Sequence, residues 1–392
     1  MSPEPRGSPA SGSRASGSPT SGSRTAGSNI AWIVSAPYDL AFIVGPAVFA
    51  LAVVALCPQV RAEGAETPLW AWVACILAVD VAHVWSTLYR TYLDPVERAR
   101  RPLLYIAVPL LCLVTGVVAY SIARQLFWRA LAYVAVLHFV RQQYGLVALY
   151  GHRGGWTSRA DPWIDKAAIY AATIYPMIVW HTQLPRPFVW FTPGDFIALP
   201  AWLAPVSRVA WIAALAVFAA RQLYLVASGI RPSPGRILVV ATTAASWWVG
   251  IVACEADWAF TLTNVLAHGI PYMALIWIYN HRKHARGTGL LARLANPAWV
   301  PVFLGLLVLL AWGEEALWDN VLWHERAAIF GDVRAWFAWA DSHAALSVLV
   351  PLLTLPQATH YVLDAFLWRF DGSNPDLAEN LFGAPVTPAR RA

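Results

Sequence analysis

Ten apolar stretches of roughly 16 to 25 residues constrain the fold of this chain more than any other feature. A helix rises about 1.5 Å per residue, so about 20 apolar residues cross the hydrocarbon core of a bilayer. Hydrophobic residues make up 58% of the chain and charged residues 13%, against about 45–50% and about 25% in soluble domains. The sequence therefore predicts an all-α, polytopic integral membrane helical bundle and excludes a soluble domain.

The predicted transmembrane helices cover residues 39–57, 68–89, 102–123, 128–150, 165–181, 207–228, 236–254, 258–279, 298–313 and 344–368. Pro176 interrupts the fifth stretch, Arg208 and Arg221 bracket the sixth, and the ninth is short. The prediction is therefore about ten spans, with eight as the lower bound.

The positions of Lys and Arg predict the orientation of these spans. With a cytoplasmic N-terminus, 19 of the 28 basic residues lie in cytoplasmic segments, six in outer segments and three within spans. Basic residues in short loops stay on the cytoplasmic side, so we expect both termini in the cytoplasm and a multi-pass protein of the inner (plasma) membrane. The same bias accounts for the net charge of +6 without a nucleic-acid partner.

The regions outside the spans differ in composition. Residues 1–29 consist almost entirely of Ser, Gly, Pro, Ala and Arg, a composition typical of a disordered tail. Residues 30–369 are predicted to form a single transmembrane domain, and the polar segment 370–392 a second flexible tail. We expect the outer loop 314–343, which begins with an acidic pair, to include an interfacial helix.

Ionisable side chains within the spans concentrate on the second, fourth, eighth and tenth, which carry His83, His138, His268 and His360. Under the predicted topology these four helices run in the same direction. Counted from their cytoplasmic ends, the histidines lie about 9, 18, 17 and 12 Å deep. Because an ionisable side chain in hydrocarbon is costly and marks a functional site by default, we expect the four to form one layer.

Each of these histidines has polar neighbours three or four residues away, on the same helix face. The combinations are Asp80 with His83, Arg141 with His138, Asn264 with His268, and Gln357 and Asp364 with His360. A metal-bound imidazole is commonly oriented through its second nitrogen. We therefore expect the four histidines to be metal ligands, Asp80 and Asp364 to be ligands or orienting carboxylates, and Arg141 to hold an anionic group of the reacting molecule.

His281 and His284 stand at the cytoplasmic mouth of the predicted layer and could complete a second metal position. They form the H-x-x-H sequence His281-Arg282-Lys283-His284. Together with the intramembrane histidines, this motif resembles the histidine-motif membrane oxygenases, which include fatty-acid desaturases and hydroxylases and carotenoid-cleaving dioxygenases. The resemblance implies non-haem iron. Since Ala285 follows His284, the H-x-x-H-H boxes of desaturases are missing, which speaks against a desaturase-type di-iron site.

The leading hypothesis is a non-haem iron oxygenase, hydroxylase or desaturase-like enzyme that acts on a membrane lipid or other lipophilic substrate near the cytoplasmic leaflet, with a redox partner. A transporter or proton-coupled carrier could instead use Asp80, Arg141 and the histidines as a relay. A haem held by His138 and His268, or metal-free acid–base chemistry on a lipid by Asp80 and His83, are further alternatives.

Overall fold

The computed structural model describes residues 32–284 and 286–383, so the predicted N-terminal tail lies outside the described residues. All regular elements within these ranges are helical, which confirms the all-α prediction. We number the principal helices α1 to α11 in chain order: Ala36–Leu56, Leu69–Arg90, Pro102–Ile122, Arg124–Tyr150, Asp161–Thr182, Leu203–Ala227, Pro234–Ala253, Asp257–His284, Pro297–Trp323, His343–Leu353 and Leu355–Leu367. Shorter helices include Pro58–Arg61, Pro95–Arg100, Leu290–Leu294, Ala327–Phe330, Arg334–Asp341 and Leu377–Phe382.

Seven of these helices, α1 to α3 and α6 to α9, are long and apolar enough to cross a membrane. An eighth span results if α10 is joined to the helix Arg334–Asp341, to which it is bent by 118°. Helices α4 and α5 lie where the fourth and fifth spans are predicted but are more polar, and the predicted tenth span is divided at Thr354 into α10 and α11. The count of about ten spans and the orientation of the termini stay predictions.

The apolar and the polar helices take different places in the bundle. In an apolar segment of 18 residues, 17% of the residues of α3 and 6% of those of α6 are buried. In the corresponding segment of α8, the least apolar of the seven helices, 83% are buried. Helix α8 packs against α1, α2 and α4, and α11 packs against α2, α3 and α4. The helices that carry the predicted layer therefore form the interior, because polar side chains in a membrane protein face the bundle and not the lipid.

Two boundaries differ from the prediction. Helix α9 continues to Trp323, so the acidic pair Glu314 and Glu315 belongs to this helix and not to an outer loop. At the C-terminal end, the helix Leu377–Phe382 packs on α8 with Leu377 and Leu381 buried. The folded part thus extends past residue 369, and the rest of the expected tail, 384–392, lies outside the described residues. Pro176 and Pro271 are inside unbroken helices.

A close contact between two helices depends on glycine at position 269. A Cβ atom on Gly269 of α8 would lie 2.6 Å from Cγ1 and 3.0 Å from the carbonyl oxygen of Val79 on α2. Real Cβ atoms do not come this near, so only glycine allows α2 and α8 to approach as they do, as small residues do between membrane helices. The contact lies beside Asp80 and His268, one from each helix.

Gly269→Ala should therefore separate α2 from α8 and lower the stability of the folded protein by about 1–3 kcal/mol, as overpacking does. Thermal unfolding of the purified protein in detergent measures the change. Gly305→Ala is the matched control, because Gly305 lies within α9 and a Cβ there would meet nothing within 4 Å. An equal loss of stability in both variants would contradict the role of the close contact.

The predicted orientation can be tested with single cysteines and a membrane-impermeant maleimide in spheroplasts. Asp332→Cys on the predicted outer side should be labelled directly, whereas Ala99→Cys on the cytoplasmic side should be labelled only after permeabilisation. Both positions are exposed, so accessibility reports the side of the membrane. The unsubstituted protein gives the background from the four native cysteines, and the reverse labelling pattern would overturn the orientation.

Candidate functional site

The four intramembrane histidines are in direct contact with one another. His83 on α2, His138 on α4, His268 on α8 and His360 on α11 are each at most 4% exposed. Their rings form a closed cycle in which neighbouring centroids are 4.6–4.9 Å apart and neighbouring planes are steeply inclined, by 69–87°. The four helices thus bring together the side chains that the sequence analysis expects in one layer, and we call this group the histidine cluster.

The ring nitrogens of the cluster approach each other in two pairs. Nε2 of His83 is 3.1 Å from Nε2 of His268, and Nε2 of His138 is 3.1 Å from Nε2 of His360. Two imidazoles that bind one ion at about 2.0–2.1 Å have nitrogens about 3.3 Å apart in a tetrahedral site and about 2.9 Å apart at a right angle. Each observed pair falls between these values. The ligand atoms of His83, His138 and His268 lie within 4.8 Å of one another.

A chain of hydrogen bonds supports the ring of His360 from behind. Nδ1 of His360 is 2.7 Å from Oγ1 of Thr87, which is 3.0 Å from the hydroxyl of Tyr272. Tyr272 donates to Oδ1 of Asp364 at 2.7 Å. Oδ2 of the same carboxylate faces Nδ1 of His138 at 3.6 Å, which is too long for a hydrogen bond. The chain therefore orients His360 and places a carboxylate beside His138.

The other two rings are held differently. Nδ1 of His83 faces the carboxylate of Asp80 at 3.8 Å, which is too long for a hydrogen bond. Nδ1 of His268 is buried without a hydrogen-bond partner among the described residues. The ring of His268 stacks on Phe139 at 3.7 Å with an angle of 6°, and its backbone carbonyl accepts a bond from Gln142. Packing on an aromatic ring thus orients His268.

Asn264, the neighbour expected for His268, does not reach it. Its amide donates to the carbonyl of Phe260 and to the hydroxyl of Thr263. Asn264 lies in a π-helical segment, Thr261–Val265, which directly precedes the turn of His268. The i, i+4 rule assumes regular α-helical geometry, so it wrongly predicts that the side chain of Asn264 contacts His268. A second π-helical segment, Trp72–Val81, contains Asp80, and such segments are frequent at functional sites.

Arg141 and Gln357 border the cluster without joining it. Arg141 is exposed and lines a cavity together with His138 and Asp364. Among the described residues its guanidinium does not pair with Asp80 or Asp364, whose carboxylates face the imidazoles of His83 and His138. Gln357 lines the cavity on the other side of the cluster.

The structure does not bring His281 and His284 into the cluster. His281 is 13 residues beyond His268, which is about 20 Å along α8. Its Nδ1 is 2.7 Å from the carbonyl oxygen of Ala295, and Nε2 of His284 is 3.4 Å from a carboxylate oxygen of Asp94. Although burial opposes ionisation of Asp94, contacts with His284 and Lys283 hold the pKa of this carboxyl well below its usual range.

Sequence reasoning missed three side chains around the cluster. Thr87 and Tyr272 each follow a cluster histidine by four residues, so the spacing rule would have found them had it been applied to hydroxyl groups. Glu314, placed outside by the short ninth span, is buried and accepts a 2.7 Å hydrogen bond from the indole of Trp85. No signal in the sequence marks it, because its burial follows from the extra length of α9.

Two cavities lie toward opposite ends of the site helices. One, of about 750 Å³, is lined by Asp80 and other residues from the N-terminal parts of α2, α4, α8 and α11, together with Glu315 of α9. The other, of about 340 Å³, is lined by residues further along α4, α8 and α11, including Arg141, Tyr272 and Asp364. Since the same ends of the helices meet at each cavity, the site helices run in the same direction.

Chemically, the cluster offers four imidazoles with two carboxylates nearby, Asp80 beside His83 and Asp364 beside His138. His138, His360 and Asp364 form a second group whose ligand atoms lie within 4.8 Å of one another. Such donors bind divalent first-row metal ions. Comparison of the chain with known protein families, with curated proteins and with solved structures finds no match, so the candidate site rests on its own geometry.

Proposed function

We propose that the histidine cluster binds a transition-metal ion and that the protein is an integral membrane oxidoreductase with a histidine-liganded non-haem iron site. The observation that carries the proposal is the closed cycle of four buried imidazoles with two Nε2 pairs at 3.1 Å. Each pair also lies at hydrogen-bond distance, and Nδ1 of His83 and of His268 is buried without a hydrogen bond among the described residues. A buried polar atom without a partner is costly, and an ion that uses the rings as ligands would account for four such side chains in contact.

Iron is favoured over zinc and copper by the composition of the donor set. Thiolates, which select copper(I) and zinc, are absent from the described cluster, whereas His138, His360 and Asp364 supply two imidazoles and a carboxylate. This combination with open positions is typical of non-haem iron(II) oxygenases. When bound, the iron would activate dioxygen for hydroxylation, desaturation or cleavage of a lipophilic substrate.

The roles of the surrounding residues follow from their contacts. The chain through Tyr272 orients the imidazole of His360, Asp364 faces His138, Asp80 faces His83, and Arg141 is available to an anionic group that enters the adjoining cavity. This cavity lies at the predicted cytoplasmic end of the site helices, where a redox partner could deliver electrons. The proposed location is the inner membrane, with the substrate in the cytoplasmic leaflet.

One observation favours a second candidate, a proton-coupled carrier. Asp80 lines the cavity at one end of the site helices and Asp364 the cavity at the other end, with the histidine cluster between them. This is the arrangement that a relay across the membrane needs. The other two alternatives have less support. A porphyrin between His138 and His268 would have to separate rings whose centroids are 4.9 Å apart. Metal-free acid–base chemistry leaves the cycle of four histidine rings unexplained.

Metal content and absorption spectrum of the purified protein separate these candidates. We expect about one iron ion per chain and no Soret band. His138→Ala and His360→Ala should each abolish stoichiometric iron, because each removes an imidazole from the group that includes Asp364.

His281→Ala and His343→Ala serve as controls and should retain the metal, since both side chains lie outside the cluster. A Soret band would select the haem alternative. If iron and other transition metals stay at trace level in the unsubstituted protein, the metal site is abandoned in favour of the relay.

Tyr272→Phe should weaken metal binding without removing a ligand. Loss of its hydroxyl breaks the chain that joins Thr87 to Asp364, and loss of such a supporting contact typically lowers metal affinity about 10–100-fold. Competition with a chelator measures the affinity. Tyr279→Phe is the matched control, a buried tyrosine on the same helix that contacts Arg90 and Lys283 by its ring face. Unchanged affinity in Tyr272→Phe would contradict the orienting role.

A further inference from the structure

A third cavity, of about 370 Å³, reaches the histidine cluster from the side of the bundle. It lies between α2, α3, α10 and α11, and His360 and Thr87 form part of its wall. The rest of the wall is almost wholly apolar, with Val84, Leu88 and Leu363 among its side chains. Unlike the two cavities at the helix ends, this lateral cleft includes no charged residue in its lining.

The outer rim of the cleft belongs to an exposed part of the bundle. Pro109 on the rim comes from α3, in whose apolar segment 17% of the residues are buried. Leu352 at the end of α10 lines the cleft and is 47% exposed. In a membrane, side chains this apolar and this exposed contact lipid tails, so the cleft opens toward the bilayer.

The division between α10 and α11 helps to form the opening. The helix ends at Leu353, and Pro356 stands in the first turn of α11, where a proline is accommodated without breaking a helix. Leu352, Leu355 and Pro356, on either side of this division, all line the cleft. A continuous helix over 344–368, as the sequence predicts, would lack this discontinuity at the entrance.

We propose that the lateral cleft admits the apolar chain of a membrane lipid and brings it to the His360 side of the cluster. This inference rests on the proposed function and specifies its substrate class, a lipid whose long hydrocarbon chain enters directly from the bilayer. A volume of 370 Å³ is within the range of small-molecule sites, about 300–1,000 Å³. An uncharged lining excludes a head group, because a charge buried there would lack a partner.

The inner wall of the cleft favours a hydrocarbon chain over a helix from another protein as the occupant. Thr87 and His360, each at most 4% exposed, form part of this wall. A flexible hydrocarbon chain can follow the cleft inward to these two side chains, whereas a helix about 10 Å wide would cover the entrance.

Photo-crosslinking tests the proposal. The full-length protein is reconstituted in vesicles of phosphatidylcholine and phosphatidylglycerol that contain a phosphatidylcholine with a diazirine near the end of one acyl chain. After irradiation, mass spectrometry locates the labelled residues. We expect labels on the cleft segments 84–92 and 352–363, including residues of the inner wall, in addition to labels on the outward faces of the exposed helices.

Leu355→Trp should fill the cleft and remove the labels on residues of the inner wall (the inner labels), while the metal content is unchanged. Leu111→Trp is the matched control, because Leu111 is exposed on α3 and does not line the cleft; it should leave the inner labels in place. If Leu355→Trp does not fold, Thr359→Phe fills the cleft from one turn further along the same face of α11.

The outcomes distinguish this inference from the proposed function. Inner labels that are absent from the unsubstituted protein, or that persist in both cleft variants, overturn the lateral cleft while the metal measurement still decides the enzyme. Crosslinks between two copies of the chain at the cleft would also overturn it. Metal at trace level with inner labels present would overturn the substrate assignment together with the proposed function.

Discussion

A ring nitrogen of histidine in hydrocarbon needs a hydrogen-bond partner or a metal ion, and the arrangement of the bundle depends on meeting this need. The four cluster histidines come from α2, α4, α8 and α11, so each helix can satisfy its own polar side chain only by packing against the others. This requirement places the polar helices inside and leaves the most apolar ones at the periphery, with most of the apolar segment of α8 buried and few buried residues in that of α6. The interior is therefore organised around polar contacts, with apolar packing as its surroundings.

Close approach of the backbones makes these contacts possible. Short links such as the 3.1 Å separation between the His83 and His268 nitrogens require α2 and α8 to be nearly in van der Waals contact, and Gly269 provides the space. π-Helical segments in both helices set the rotation of the residues near the cluster. The position of an imidazole is thus determined by features several residues away that contribute no ligand atom.

Much of this arrangement could be predicted from sequence because hydropathy and helix rise are nearly one-dimensional properties. The apolar stretches located the helices, and depth along four of them brought His83, His138, His268 and His360 to one level. Rules of this kind do not give the rotation of one helix relative to another. The pairing of His83 with His268 and the stacking of Phe139 on His268 could therefore not be predicted. Asn264 shows the same limit, since a π-helical turn changes which neighbours share a face.

The end-to-end cavities have a consequence for the electric field. Water that fills both would bring the two bulk phases close to the histidine cluster, so that most of the membrane potential would fall across this thin layer. Moving one elementary charge through a full potential of 100 mV changes its free energy by about 2.3 kcal/mol. Any charge transferred between Asp80 and Asp364 would therefore sense the energised state of the membrane.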